Sequence, residues 1–379
     1  MSTAQKHTTS LQLKANVCYH QEDMTTRLIQ VDILRAIAII AVIIIHSISA
    51  NIVPFIDLQP QLNFLIGADQ LMRFCVPFFF AISGYLLAEK YLHEKISYSS
   101  FLKKRALRLI PPYLLWSGII YFYLTQIAHE AYPEKYNIFQ IIFFGHADYD
   151  LYFIPALFYT YLLFPIILFF FKKWPLLTLL CSFVLTTNVI LFTSLVQRGL
   201  LQVPFEWTDQ QQYVFPLTWI FYFVLGIFLK YQQKQKIYFY KTIAPILLIC
   251  SIPLLIFGSI QSYNTTHNLI NATSFTSFPV LFYATAFITT ALFWQEKLLL
   301  LPKILIGILA KIGAKSFSIY LFHALVIRIV FGFYPAFNMP SLFVFIVTVI
   351  IITFLTSAIL GKLHLLLKQL LPPLKTLFP

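Results

Sequence analysis

Two ionisable side chains lie in an apolar run near 33–53, where charge is costly: Arg35 and His46. Such groups usually face a cavity rather than lipid. They are eleven residues apart. At ~100° per residue this is ~1100°, about 20° past three full turns, so a helix puts both on one face, ~16 Å apart. A guanidinium fork binds phosphate or a carbonyl group. An imidazole can take a proton from a hydroxyl near neutral pH. The same positions also suit a snorkelling arginine and a hydrogen-bonded interhelical histidine. Asp32 precedes Arg35 by one turn, at the spacing of an i,i+3 ion pair.

Three further segments carry candidate chemistry. In the run 64–87, Arg73 lies near mid-span, followed by Pro77 and by Ser83-Gly84. Pro77 is expected to kink the helix, leaving Arg73 to line a cavity or to pair with Asp69. Arg105 and Arg108 are i,i+3 neighbours at the end of a basic loop, suited to a phosphorylated cofactor or to lipid headgroups. Late in the chain, Ser316 to His323 places Tyr320 and His323 in an apolar helix, with Arg328 deeper. The cluster His146-Ala147-Asp148-Tyr149-Asp150 suits contact with an outer substrate or a solvated loop, and its polarity favours the loop.

These residues must be positioned by membrane helices. Of 379 residues, 59% are hydrophobic and 11% charged, with mean hydropathy +0.78. A soluble chain carries ~25% charge, so a soluble enzyme, a disordered protein and a secreted disulfide scaffold are excluded. Apolar stretches of spanning length occur near 33–53, 64–87, 110–128, 151–171, 175–196, 213–229, 242–260, 278–294, 316–334 and 341–361. The expectation is an all-α polytopic membrane protein of about ten helices. Ile138–Phe144 and Ile304–Ala310 are too short to span.

The net charge of +13 is mostly topology. Lysines and arginines gather in alternate loops, chiefly 88–109, 172–173, 230–241 and 297–315, and acids in the others. This pattern puts both termini in the cytoplasm and calls for a lipid bilayer, not nucleic acid, as partner. Residues 1–26 are expected as a flexible cytoplasmic tail, 27–365 as the transmembrane domain and 366–379 as a short cytoplasmic tail. The four cysteines show no metal or disulfide spacing, so no metal is expected. Walker loops, GxSxG elbows and HExxH pairs are missing from usable places.

The motifs together resemble the acyltransferase-3 family of integral membrane acyltransferases. Asp32-Ile33-Leu34-Arg35 followed by His46 is similar to its Asp-x-Leu-Arg opening and R-x10-H spacing. Phe79-Phe80-Ala81-Ile82-Ser83-Gly84 resembles its FFxxSG motif, Arg105-Ala106-Leu107-Arg108 its paired arginines, and Ser316 to His323 its late S-[YF]-x-I-Y-L-x-H. The resemblance implies transfer of an acyl group, commonly acetyl, from cytoplasmic acyl-CoA to a hydroxyl of a cell-envelope carbohydrate or glycolipid. Acyl-CoA is then a co-substrate, with no permanently bound cofactor. It makes His46 and Arg35 the catalytic pair, with Arg35, Arg73, Ser83, Arg105 and Arg108 on the donor and Asp32, Tyr320 and His323 as further site residues. It also implies a multi-pass protein of the bacterial inner membrane. Some members carry an extracytoplasmic hydrolase-like domain after the helices; here such a partner, an extracytoplasmic transferase, is expected as a separate protein. Tyr152 stands where the family commonly has Trp. The competing reading is a polysaccharide exporter without acyl transfer.

Overall fold

The computed structural model describes residues 29–130, 133–204, 207 and 209–370. The expected N-terminal tail lies outside these residues, as does most of the C-terminal one. Among the described residues every regular element is helical. The first helix is α1 (Ile29–Asn51). There follow α2 (Gln59–Met72), α3 (Cys75–Tyr91), α4 (Tyr98–Phe122), α5 (Ile138–Phe144), α6 (Phe153–Lys173), α7 (Pro175–Gln197) and α8 (Asp209–Val214). The second half holds α9 (Ile220–Lys234), α10 (Phe239–Thr266), α11 (Leu269–Ala272), α12 (Phe278–Trp294), α13 (Lys303–Ala314), α14 (Ser316–Phe333) and α15 (Met339–Leu370).

Among the described residues, nine segments are long and apolar enough to cross a membrane, α2 and α3 counting as one. The tenth expected span, 213–229, takes another form. It becomes α8, a short 3-10 turn at Pro216–Thr218, and α9. At 1.5 Å per residue α9 is only ~22 Å long, against a hydrocarbon core of ~30 Å. It tolerates this because it lies inside the protein, with Phe223, Val224 and Ile227 fully covered. Irregular backbone at this depth must be satisfied by protein. Thr218 donates to the Gln212 carbonyl, the Trp219 indole to the Tyr213 carbonyl and Thr186 to the Leu217 carbonyl.

Small residues let the central helices touch. A Cβ on Gly84 of α3 would run into the Phe223 carbonyl of α9, and one on Gly226 of α9 into the Ala81 carbonyl of α3. The contact is therefore reciprocal, in the manner of small-residue membrane interfaces. Gly313 of α13 likewise sits against the Asp32 backbone of α1. Between α2 and α3 the helix breaks at Arg73 and Phe74. Pro77 explains the break, since it has no N–H for the Arg73 carbonyl.

The two ends differ in charge. At one end Lys172 donates to the Glu94 carbonyl, Lys234 to the Glu89 carbonyl and Lys315 to the Ser357 carbonyl. This basic end also carries Arg35. At the other, Asn51 accepts from the Ala336 N–H and Gln210 donates to the Gly145 carbonyl. The short runs Ile138–Phe144 and Ile304–Ala310 appear as α5 and within α13, neither long enough to span.

Candidate active site

A cavity of about 130 Å³ opens among α1, α3, α4, α6 and α14. Arg35, Ser83, Arg105, Arg108 and Tyr320 all line it. These residues were nominated from four separate motifs, and the fold brings them to one place. Arg35 gives one hydrogen bond to Asp32, at 2.9 Å, and is 27% exposed. Arg105 lies over the rings of Phe101 and Tyr161, at 5.5 and 5.3 Å, which orients its guanidinium by cation–π attraction. Ser83 donates back to the Phe79 carbonyl, four residues earlier on α3.

Beyond Tyr320 the site becomes a cluster of rings. The centroids of Tyr320 and His323 are 5.5 Å apart, those of His323 and His46 5.2 Å, and those of His46 and Tyr149 5.1 Å. Tyr149 in turn lines a second cavity of about 640 Å³ at the acidic end, with Ser49, Glu130 and Arg328. The two histidines thus stand between residues that line the two cavities.

His323 is fully buried. Its Nδ1 lies 2.6 Å from the Tyr320 carbonyl oxygen, and its Nε2 lies 3.6 Å from Asp150 Oδ2. The Tyr320 hydroxyl donates to the Asp150 carbonyl. Burial and the adjacent Asp148 carboxylate push the Asp150 carboxyl well above the usual range. The neighbouring carboxylates of Asp148 and Asp150 push the Tyr149 phenol up as well.

The segment 146–150 is not the solvated loop that its polarity suggests. His146, Ala147, Asp148 and Asp150 are all buried. Gly145, at φ +76°, ends α5 and turns the chain inward; a Cβ there would strike the Leu151–Tyr152 backbone. Gln210 donates to the carbonyls of Gly145 and Asp148, and Arg328 binds Asp148 at 2.7 and 3.3 Å. Arg328 also holds Glu130, at 2.7 and 2.9 Å. Burial lowers the affinity of His146 for a proton.

Arg73 lies elsewhere. Its guanidinium is tied to Asp69 through two hydrogen bonds of 2.7 and 3.0 Å and rests 4.3 Å from the Phe275 ring centroid. It does not line the cavity that holds Arg35. The sequence singles out the 146–150 cluster and Arg328 separately, but not the ion pairs that join Arg328 to Glu130 and Asp148, nor the placement of Tyr149 and Asp150 beside the histidines. One signal was available, because an arginine inside an apolar helix needs an acid.

A helical membrane body in which the half-buried His46 lies against the buried His323, near a cavity lined by three arginines, defines an integral membrane protein with ionisable groups gathered among its spans. A family model for an acyltransferase domain matches residues 28–362, from the start of α1 into α15. The chain belongs to the acyltransferase-3 family and is a multi-pass membrane acyltransferase. No curated protein and no solved structure matches it.

Proposed function

We propose that the protein transfers an acetyl group from acetyl-CoA to a hydroxyl of a cell-envelope carbohydrate or glycolipid. The carrying observation is the shared cavity of Arg35, Ser83, Arg105 and Arg108, whose Tyr320 wall abuts the histidine pair. The basic end faces the cytoplasm, in keeping with the distribution of lysines, and the membrane is a bacterial inner membrane. Three guanidiniums at one mouth suit the CoA phosphates. Typical drug-sized pockets measure ~300–1,000 Å³, so a cavity of about 130 Å³ suits the narrow pantetheine arm rather than the nucleotide.

The acceptor enters from the opposite cavity, where Tyr149 borders His46. His46 takes the hydroxyl proton. The oxygen attacks the thioester carbonyl, a C–O bond forms and the C–S bond breaks. The CoA thiolate leaves and takes up a proton. Ser83 is the hydroxyl on the donor side; it steadies the oxyanion once its one O–H turns from the Phe79 carbonyl, whereas the Arg73 guanidinium stays tied to Asp69. Rings of His46, His323 and Tyr149 lie between the cavities, which suits exchange of a small acyl group rather than export of a glycan.

The test uses purified protein with labelled acetyl-CoA and isolated envelope glycans. Wild type transfers label; His46→Ala does not, and Arg35→Ala transfers little unless acetyl-CoA is raised far above the wild-type requirement. Unchanged transfer in both variants overturns the site, and wild-type inactivity with acetyl-CoA overturns the donor.

A further inference from the structure

The contact between His323 and Asp150 has a hydrogen-bond consequence. A carbonyl oxygen can only accept, so His323 Nδ1, 2.6 Å from the Tyr320 oxygen, carries a hydrogen. In a neutral ring Nε2 is then an acceptor. It faces Asp150 Oδ2 at 3.6 Å, and an ionised carboxylate is also only an acceptor. Neither Nε2 nor either carboxyl oxygen of Asp150 has another hydrogen-bond partner among the described residues. Asp150 is 2% exposed and His323 0%. Arg328, which could have compensated a carboxylate here, gives its hydrogen bonds to Asp148 and Glu130. Two acceptors opposed in a buried site cost free energy with nothing to offset them. One proton placed between them removes the conflict.

We propose that Asp150 and His323 hold one proton in common, and that this pair supplies the proton taken up by the departing CoA thiolate. The relay role rests on the acyl-transfer reading above; the shared proton does not. His46 takes the acceptor proton on one side, and the pair releases its proton to sulfur on the other. The pair lies on the Tyr320 side of His46, and Tyr320 lines the donor cavity. Transfer from His46 to His323, whose rings are 5.2 Å apart, then restores both groups. The balance closes: the acceptor loses one proton, CoA gains one, and the protein ends as it began. Asp150 acts through His323 and is a positioning residue, needed because imidazole alone would leave the second proton site unfilled.

Two measurements test the proposal on the full-length protein. Nitrogen NMR of histidine-labelled protein, with His323 assigned by its loss in His323→Gln, reads the protonation of Nε2. Infrared difference spectra between wild type and Asp150→Asn read a protonated carboxyl group. The expected result is a protonated His323 Nε2, or a protonated-carboxyl band that disappears in Asp150→Asn. A free Nε2 together with no such band overturns the shared proton, whatever the reaction catalysed. For the relay, Asp150→Asn offers an N–H to His323 but no transferable proton. The kcat for transfer should fall about 100-fold, the lower range for a lost acid–base group, with KM for acetyl-CoA unchanged and partial rescue in Asp150→Glu. Unchanged kcat with active wild type overturns the relay alone. Wild-type inactivity with acetyl-CoA removes the acyl-transfer reading and the relay with it, while the spectra still decide the shared proton.

Discussion

Replacing Arg35 with lysine separates charge from geometry at the donor cavity. Arginine offers five N–H groups, and Arg35 spends one on Asp32 at 2.9 Å. Among the described residues no further hydrogen bond of this side chain appears, which leaves the others for a ligand in the cavity that it lines. Lysine keeps the positive charge but loses the planar fork, and with it one arm of a bidentate contact to phosphate. A hydrogen bond to a charged group contributes ~1.5–3 kcal/mol. Arg35 is 27% exposed, so solvent screening argues for the lower end. A loss of ~1.5 kcal/mol is about tenfold in Kd. Arg35→Ala forfeits both arms and should weaken binding by about 100-fold. Titration calorimetry with CoA itself isolates binding from chemistry, and steady-state assays with acetyl-CoA should show the same tenfold change in KM for Arg35→Lys with kcat retained. Raising the salt from about 0.01 to 0.1 M, which shortens the Debye length from ~30 to ~10 Å, should weaken CoA binding to wild type and narrow its advantage over Arg35→Ala. Normal CoA affinity in Arg35→Ala would show that the cavity is not the donor site. A collapse of kcat in Arg35→Lys at unchanged affinity would place Arg35 on the reacting atoms instead.

Further outcomes follow from the packing. Gly84→Ala forces α3 and α9 apart at the Phe223 carbonyl and should cost ~1–3 kcal/mol, read as a lower Tm in detergent; Gly118→Ala, with nothing within 4 Å of the added methyl, is the control and should leave Tm unchanged. Arg328→Gln leaves Asp148, which is fully buried, without its cation and should destabilise by ~3–5 kcal/mol, with Asp148→Asn in the same chain restoring part of the loss. The Asp150 carboxyl has its proton affinity raised by burial and by Asp148. Its contribution to stability is therefore complete below the unfolded value of ~3.9 and is lost as pH rises through the folded value. Asp150→Asn should gain stability relative to wild type across that rise, and a difference that does not change with pH would refute the assignment.

The helices were largely legible in the sequence, as was the placing of Arg35 and His46 on one of them, because both rest on local pattern. Apolar runs mark spans, and the three-turn spacing of Arg35 and His46 needs only one helix. The α9 region takes a form that hydropathy does not announce. Hydropathy measures preference for an apolar environment and cannot tell lipid from a protein interior, so it marks the run 213–229 but not its division into a 3-10 turn and a 15-residue helix enclosed by its neighbours. The 146–150 segment failed in the opposite sense. Its polarity is satisfied by Gln210 and Arg328, which lie far along the chain, and no local pattern announces such partners.

The intramembrane arginines show how the remaining ambiguity resolves. Each sits where charge is expensive, and the sequence treats Arg35, Arg73 and Arg328 alike. The structure separates them by what their fork already holds. Arg73 gives two hydrogen bonds to Asp69, and Arg328 gives four to Asp148 and Glu130. Both are neutralised by carboxylates of the same fold and stabilise it. Among the described residues Arg35 gives one, to a single oxygen of Asp32, and turns toward a cavity shared with Arg105 and Arg108. Gly313 packed on the Asp32 backbone holds that pair at the cavity rim. A fork of which the described residues take up only one N–H, beside two more guanidiniums, suits an anion. That contrast is the physical support for the proposal that Arg35 meets the donor phosphates while the other two arginines serve the fold.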